Sequence, residues 1–277
     1  MTKVKERTMH IVFLVAACMS ILAVAMICLF MFANGVPAIR QIGFVNFIFG
    51  KTWMPGANKF GIFPMIIGSI YVTAGAIIIG VPIGLLCAVF MAKFCPPKLH
   101  KIMKPAVDLL AGIPSIVYGL FGMLFFVTAL HWGLSLLSGA FTLVIMILPL
   151  IMRTAEEALK SVPDSYREAS FGLGAGKLRT IFTIVLPSAV PGILAGVILA
   201  IGRVVGETAA LLYTSGTVAA VPNSLMGSGR TLALHMYVLS SEGLHVNQAS
   251  ATAVVILAFV LVINGLSGLV ARKIAKG

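Results

Sequence analysis

The sequence predicts an all-α polytopic membrane protein with six transmembrane helices and both termini in the cytoplasm. The first observation is composition: 60% of the 277 residues are hydrophobic, 10% are charged, and the mean hydropathy is +1.08. A chain this apolar falls outside the usual composition of soluble domains. The second observation is a set of six long apolar runs, and the third is the distribution of basic residues between them.

Each apolar run is long enough for a helix that crosses a bilayer core roughly 30 Å thick. Backbone polar groups in lipid need partners within their own segment, so these runs are expected to be helical. The predicted spans lie near residues 10–33, 65–92, 107–130, 134–152, 189–214 and 249–271. Together they form a single transmembrane domain over residues 1–277.

Basic residues are concentrated in alternate connections between the spans. If the amino terminus is cytoplasmic, the inside positions are Lys3, Lys5, Arg7, Lys93, Lys98, Lys101, Lys104, Arg153, Lys160, Arg167, Lys177, Arg179, Arg272, Lys273 and Lys276. The outside positions are Arg40, Lys51, Lys59 and Arg230. This asymmetry predicts cytoplasmic termini. It also attributes the net charge of +12 to topology and anionic lipid rather than to nucleic acid.

Metal and nucleotide sites are not expected in this chain. The four cysteines lie in or beside predicted spans one and two, and none forms a CxxC pair. The glycine-rich run Gly172–Lys177 resembles a phosphate-binding loop, but its spacing is wrong, and Leu178 follows the lysine where Ser or Thr is required. No cofactor is therefore predicted.

Arg203 and Glu207 are ionisable residues within predicted span five. They are four residues apart, so we expect them on one face of a helix. An isolated charge in lipid costs several kcal/mol, which places the pair toward the bundle interior or a wet cavity. Two interpretations follow: an ion pair that only makes the helix insertable, or an oxyanion site at mid-membrane depth.

The oxyanion interpretation fits phosphate in particular. A guanidinium is a planar fork that can bind two phosphate oxygens. The Glu207 carboxylate can accept a hydrogen bond from protonated phosphate, whereas it would repel unprotonated sulfate. Thr208 can contribute a hydroxyl to substrate binding. Further hydroxyls follow at Tyr213, Thr214 and Ser215.

A polar segment between predicted spans four and five lies on the basic, cytoplasmic side. Its fixed positions are Glu168, Ala169, Ser170, Gly174, Ile184, Leu186 and Pro187. This spacing resembles the EAA signature of bacterial ABC-importer permeases, EAA-x3-G-x9-I-x-L-P, with Ser170 in place of the second alanine. The resemblance implies that residues 153–188 form a coupling loop, in which Glu168 and its helix dock on an ATPase subunit and Gly174 supplies the turn between two short helices.

Three further motifs resemble the phosphate-specific (Pst) ABC importer permeases. They are the sequences FGIFPMIIGS at 60–69, LAGIPSIVYG at 110–119 and GRVVGET at 202–208. The resemblance implies a type I permease fold that carries phosphate by alternating access and performs no covalent chemistry. It implies a heterodimer with a second Pst permease, two copies of an ATP-binding subunit and an extracytoplasmic phosphate-binding protein. It also implies that Arg203 and Glu207 are required for phosphate passage.

The motifs leave the kind of subunit open. The amino-terminal half, through Cys95-Pro96, resembles PstC, whereas Gly206–Tyr213 and the region from Arg230 to Gln248 resemble PstA, with Ala210 where the PstA pattern has proline. The same architecture also suits another oxyanion, such as molybdate, sulfate or phosphonate. More distant alternatives are a secondary transporter, which leaves the EAA pattern unexplained, and an intramembrane enzyme, for which no acid–base pair of His or Asp lies within the spans.

Overall fold

The chain forms a bundle of long helices. The computed structural model describes residues 2–243 and 245–274, with backbone alone for residues 2–4 and 270–274. Of the charges counted above, Lys276 lies outside this part of the chain, and the side chains of Lys3, Arg272 and Lys273 are not described. Within the described residues, five helices are long and apolar enough to cross a membrane, and two further helices bent against each other complete a sixth crossing. The predicted all-α membrane fold is confirmed.

The helices follow one another with short connections and one small hairpin. Their bounds are α1 Thr2–Ile42, α2 Phe44–Phe49, α3 Phe63–Val89, α4 Pro97–Ala111, α5 Ser115–Gly122, α6 Leu136–Lys160, α7 Asp164–Gly172, α8 Lys177–Thr180, α9 Leu186–Val205, α10 Ala209–Leu212, α11 Leu232–Glu242 and α12 Val246–Ile274. Strands β1 Trp53–Met54 and β2 Lys59–Phe60 pair antiparallel, with Trp53 opposite Phe60. Short π-helical segments continue α3 to Phe94 and α5 to Ala129, and another, Ile181–Val185, joins α8 to α9.

Three central helices, α3, α6 and α9, pack closely because glycines face bulkier neighbours. A Cβ added to Gly84 of α3 would lie 2.8 Å from Cγ2 of Ile151 on α6. One added to Gly196 of α9 would lie 2.1 Å from Oγ1 of Thr154, also on α6. Small residues at such positions let helix backbones approach in lipid, where dispersion contacts rather than water exclusion drive packing. The GxxxG sequences that begin at Gly80 and Gly192 therefore pack against α6.

The peripheral helices α1 and α12 pack together at their outer ends. A Cβ on Gly35 would meet the Ser250 carbonyl oxygen at 2.7 Å. The most apolar window of α1 has no buried residue, and Ile21 is 70% exposed. Such a surface suits contact with lipid or with another membrane subunit.

Predicted span three is not one straight helix, so the single span at 107–130 is wrong. The axes of α4 and of the helix Ser115–Ala129 differ by 96°. Pro114 lacks an N–H and restricts Ile113 before it, which ends the first helix and starts the second. Asp108 therefore lies in the last turn of α4 instead of opening a span.

Predicted span five ends earlier than residue 214. Helix α9 stops at Val205, Thr208 leaves the helical region at φ −122° and ψ −53°, and the short helix α10 begins at Ala209. The apolar run continues to Leu212, so hydropathy alone cannot locate this break. Both broken crossings have their interruption inside an apolar segment, as occurs in helices that line transport routes.

The segment between α10 and α11 covers the outer end of α6. Backbone N–H groups of Ser135, Leu136 and Leu137 donate to the carbonyls of Thr214, Gly227 and Leu225, at 3.0, 3.0 and 2.9 Å. These donors at a helix start have no partner within the helix. The segment supplies their acceptors and so closes the bundle on its outer side.

Candidate functional site

The two broken crossings meet at the backbone. A Cβ added to Gly119 of α5 would lie 2.8 Å from the Ala210 Cα on α10. On the same helix, the Tyr118 hydroxyl donates to the Leu110 carbonyl across the bend at 2.7 Å. Tyr118 is also within the electrostatic range of Arg203, in the last turn of α9. The two breaks therefore form one junction, with a single cation beside it.

Arg203 is half-buried at this junction. Among the described residues, no hydrogen bond and no ion pair within 4 Å engages its guanidinium. A guanidinium carries five N–H donors and stays charged at any physiological pH. The site therefore presents a cation whose charge is not neutralised by a protein carboxylate.

Glu207 does not share a helical face with Arg203, and no ion pair within 4 Å joins these two residues, which was one of the two interpretations. Helix α9 ends between the two residues. The Glu207 side chain, which is 8% exposed, extends toward α10, the next helix along the chain. Its Oε1 accepts a hydrogen bond from the Ala210 backbone N–H at 3.0 Å. A carboxylate that accepts from the first turn of a helix is stabilised there. The second carboxylate oxygen remains available to another donor.

Ala210 makes this arrangement possible. Proline, the residue expected at this position from the PstA pattern, has no N–H and could not donate to Glu207. Thr208 is half-buried beside the break, and its side chain makes no cap hydrogen bond.

Two of the hydroxyls suggested for the site are engaged elsewhere. Thr214 donates to the Ala210 carbonyl at 2.8 Å, and Ser215 donates to the Leu211 carbonyl at 3.0 Å. Both side chains are fully buried. They satisfy backbone carbonyls of α10, so the sequence-based suggestion that they face an anion is not supported.

The coupling-loop residues lie on two helical segments that are joined by a turn at a glycine. Gly174 lies at φ +82°, a conformation that favours glycine, between α7 and α8. Glu168 and Ala169 are exposed on α7. Ser170 is buried, and its Oγ lies 2.8 Å from Thr180 Oγ1, which joins the two helices directly. The hydroxyl that distinguishes Ser170 from alanine therefore has a structural partner.

The second of the two helices is not a separate short helix. Lys177 starts a continuous helical segment that runs to Val205. Ile184 and Leu186 are half-buried within it, and Pro187 is exposed. The first residues of the predicted loop, from Arg153, likewise belong to α6, which continues to Lys160. Helix α7 is thus linked at both ends to helices that cross the membrane, so a movement of α7 can be transmitted to them.

A groove of about 280 Å³ lies along this loop, lined by Ser170, Leu173, Gly174, Ala175, Arg179, Thr183 and Ile184. Leu173 is 90% exposed, and Tyr166 and Leu178 are also largely exposed. Exposed apolar side chains rimmed by polar residues mark protein interaction sites. Leu173 was not among the predicted coupling residues. The feature that could have identified it is an apolar residue within a glycine-rich polar loop.

A buried charge cluster joins α4 to α6. Glu156 is 5% exposed, its Oε1 lies 2.9 Å from His100 Nε2, and Lys160 also pairs with it. One turn away, Arg153 lies 3.7 Å from Asp108. These pairs hold the first half of the bent crossing against the helix that leads into the coupling loop. The Glu156–Lys160 pair lies within α6, whereas the pairs His100–Glu156 and Asp108–Arg153 join residues more than forty positions apart, which no local pattern could have identified.

Known proteins are similar to this chain in sequence and in architecture. Residues 80–276 match the family model described as binding-protein-dependent transport system inner membrane component. The chain is 33% identical over 280 residues to the probable ABC transporter permease protein YqgI of Bacillus subtilis, covering 93% of this chain and 94% of that protein.

Two phosphate transport permeases are also similar. Identity to the phosphate transport system permease protein PstC of Mesorhizobium japonicum is 32% over 227 residues, 73% of this chain and 69% of that protein. Identity to PstA 1 of Mycobacterium tuberculosis is 40% over 156 residues, 56% of this chain and 51% of that protein.

Among solved structures, a bacterial alginate ABC transporter in complex with its pentasaccharide-bound periplasmic protein superposes with a TM-score of 0.64. It is 15% identical, over 94% of this chain and 95% of that chain. The inward-facing MetNI methionine ABC transporter gives a TM-score of 0.62 at 20% identity, over 75% and 93%. These likenesses establish the fold.

Proposed function

Because the chain belongs to the family of binding-protein-dependent transport system inner membrane components, we propose that it is the phosphate-conducting subunit of an ATP-driven importer. Members of this family are multi-pass inner-membrane transport subunits, and ATP hydrolysis belongs to separate subunits. The chain is accordingly not an enzyme. Its chemistry is the recognition and passage of a solute.

Phosphate as the solute is supported by sequence and by site. Relatives named as phosphate transport permeases match 73% and 56% of the chain. The observation that carries the proposal is the half-buried Arg203 guanidinium at the junction of two broken helices, which has no ion-pair partner within the described part of the chain. An uncompensated cation at such depth is costly unless an anion visits it.

The proposed binding geometry assigns one task to each residue. The Arg203 guanidinium donates to two phosphate oxygens. The free carboxylate oxygen of Glu207 accepts the O–H of protonated phosphate, while its other oxygen stays on Ala210. Thr208 adds a hydroxyl at the edge of the break. A fully ionised sulfate lacks the proton and meets repulsion from Glu207.

Energy reaches this junction through the coupling loop. In our proposal the exposed face of α7, with Glu168 and Ala169, inserts into a groove of an ATPase subunit, and Leu173 adds an apolar contact. Closure of two such ATPases moves α6 and the helix beginning at Lys177. The junction then opens alternately to the outside and to the cytoplasm.

The proposed partners are a second Pst permease, two ATP-binding subunits and an extracytoplasmic phosphate-binding protein. Similarity to both PstC and PstA relatives is compatible with either position in the heterodimer. The long apolar helices and the exposed apolar surface of α1 support the lipid bilayer as a further partner.

Reconstitution tests this function. The chain is co-expressed with its second permease, ATPase and binding protein, and uptake of radioactive phosphate into proteoliposomes is measured. We expect uptake that requires ATP and resists excess sulfate. Accumulation of sulfate or molybdate in preference to phosphate would transfer the assignment to another oxyanion, and uptake without ATPase subunits would indicate a secondary transporter.

A further inference from the structure

A second cation, Arg230, lies at the outer end of the bundle, in the segment that covers α6. It is half-buried. Its Nε donates to the Thr217 carbonyl at 2.9 Å, and its Nη1 lies 3.2 Å from His235 Nδ1. Among the described residues no carboxylate lies within 4 Å of it. Glu242 acts on the Arg230 charge from beyond that distance, so among the described residues no carboxylate pairs with the guanidinium directly.

The acceptors around Arg230 are neutral. His235 is fully buried, and burial together with the Arg230 charge lowers its pKa to about 3. Nδ1 of the uncharged ring then accepts from the guanidinium, so Nε2 carries the proton. A carbonyl and a neutral imidazole fix the orientation of the guanidinium but leave its full positive charge in place. A carboxylate partner would have cancelled that charge.

Donors at this location outnumber acceptors. Thr217 and His235 engage two of the five guanidinium N–H donors. His235 Nε2 is buried and has no hydrogen-bond partner among the described residues. Buried donors without acceptors are costly, and native proteins contain few of them. The chemistry that would satisfy this surplus is that of an anion with several oxygen acceptors.

Arg230 lies over the central helices and not on the lipid-facing rim. Its carbonyl oxygen is 2.5 Å from the position of a Cβ on Gly68, near the start of α3. The neighbouring Gly229 contacts Leu136, the first residue of α6. Leu232 N–H donates to Ser69 Oγ at 2.8 Å. The backbone around Arg230 is therefore packed on the outer ends of α3 and α6, two of the central helices of the bundle.

The packing of α6 against α9 gives the depth of the two cations. Gly192 lies against Ala158 and Gly196 against Thr154. The two helices are therefore antiparallel, and four residues forward along α9 correspond to four residues back along α6. Continuing this register places Arg203 near the level of Ile147. Arg230 is level with Leu136, and the intervening eleven residues of α6 correspond to about 16 Å.

We propose that Arg230 is an outer anion-binding residue that receives phosphate from the outside before it reaches Arg203, and that His235 is its positioning residue. The inference rests on the proposed function. Successive sites that bind an ion moderately allow both entry and release, which one tight site would prevent. A positive charge near the mouth also raises the local anion concentration and the rate of encounter.

The test compares Arg230→Gln, Arg230→Lys and Lys59→Gln in the complete reconstituted complex. Lys59→Gln is the matched control, since it removes the same charge from an exposed outer position. Uptake is measured against the concentration of phosphate-loaded binding protein, and assembly by co-purification. We expect uptake about tenfold lower for Arg230→Gln, within about threefold of wild type for Arg230→Lys, and unchanged for Lys59→Gln, as for loss and retention of a charged hydrogen bond.

Two outcomes overturn the proposal: wild-type uptake by Arg230→Gln, or Arg230→Lys impaired as severely as Arg230→Gln. If Arg230→Gln does not assemble, Arg230→Lys decides alone, because it keeps the charge while losing the fork that contacts Thr217 and His235. Arg203→Gln is measured in parallel. If Arg203→Gln loses uptake while Arg230→Gln keeps full uptake, the outer anion-binding role of Arg230 is rejected and the proposed function stands. If the wild-type complex takes up no phosphate, the proposed function itself is rejected.

His235 has its own readout. His235→Leu should raise the half-saturating concentration of phosphate-loaded binding protein several-fold and leave the maximal rate unchanged. His235→Gln, whose amide oxygen can accept from Arg230, should restore much of the loss. A fall in maximal rate alone, with the half-saturating concentration unaffected, contradicts a positioning role.

Discussion

Arg203 and Glu207 are separated by the end of α9, and the Glu207 carboxylate accepts a hydrogen bond from the Ala210 N–H at 3.0 Å instead of pairing with the guanidinium. Four residues along a regular helix would have brought the two charges together. The break keeps both in the same region while leaving the cation unneutralised.

Loss of the Arg203 charge should abolish transport without disturbing assembly. Arg203→Ala removes charge-assisted hydrogen bonds worth about 1.5–3 kcal/mol each, so phosphate uptake should fall at least 10- to 100-fold. Arg203→Lys should retain intermediate uptake, because it keeps the charge and loses the fork. Co-purification of the partner subunits controls for folding. Near wild-type uptake by Arg203→Ala would show that the arginine is structural.

Glu207 should set selectivity more than rate. Glu207→Gln keeps an oxygen for the Ala210 N–H but removes the negative charge, so sulfate should become an effective competitor of phosphate uptake. Ala210→Pro is the matched variant, because it abolishes the donor within the first turn of α10, where proline is tolerated, and leaves the carboxylate. It should stay selective. Unchanged sulfate competition in Glu207→Gln would exclude the role assigned to the carboxylate.

Charge reversal at the coupling loop should separate the ATPase from the membrane subunit. Glu168 is exposed and forms no ion pair among the described residues, so Glu168→Lys should leave the fold intact while losing ATPase co-purification and transport. Glu6→Lys makes the same charge change at an exposed position of α1. The expected difference between the two variants is loss of coupling only for Glu168→Lys. Equal behaviour of both would remove Glu168 from the interface.

The junction of the two broken crossings should not tolerate a side chain. Gly119→Ala places a Cβ 2.8 Å from the Ala210 Cα, and overpacking of this kind costs about 1–3 kcal/mol or more. Gly265→Ala on α12 meets nothing within 4 Å and should be neutral or slightly stabilising. Thermal unfolding of the purified complex in detergent compares them. A Gly119→Ala protein as stable as Gly265→Ala would contradict the described contact.

Acid should destabilise the outer segment through His235. The pKa of His235 is lowered to about 3 from 6.5, so its stabilising neutral state is complete above pH 6.5 and is lost as pH falls toward 3. At pH 5 the loss is on the order of 2 kcal/mol. The charged group that faces the imidazole ring is Arg230, and the uncharged Trp53 ring packs against it. Glu242 interacts electrostatically with Arg230. Unfolding temperatures at pH 7 and pH 5 should differ less in His235→Gln than in wild type.

Much of the membrane topology was accessible from the sequence because lipid imposes simple requirements. Long apolar runs and the lysine and arginine distribution depend on solvation alone, and neither needs tertiary information. The turn at Gly174 was accessible for a similar reason, since its φ of +82° favours glycine. These features are decided locally.

The breaks were not accessible to the same reasoning. Hydropathy is continuous through Val205 and Leu212, and the interruption depends on where the Glu207 side chain finds a donor. Pro114 was visible as a helix breaker, but the 96° bend also requires the contact of α5 with α10. The His100–Glu156 pair and the burial of His235 depend on contacts between distant parts of the chain, so only the folded structure identifies them.

The backbones of α5 and α10 meet at Gly119 and Ala210 with no side chain between them. Side chains that change rotamer can absorb small displacements, but two apposed main chains have no such compliance. A shift of either half-helix must therefore carry the other with it. We therefore expect a change of access to tilt the two kinked elements together, with neither acting as an independent gate.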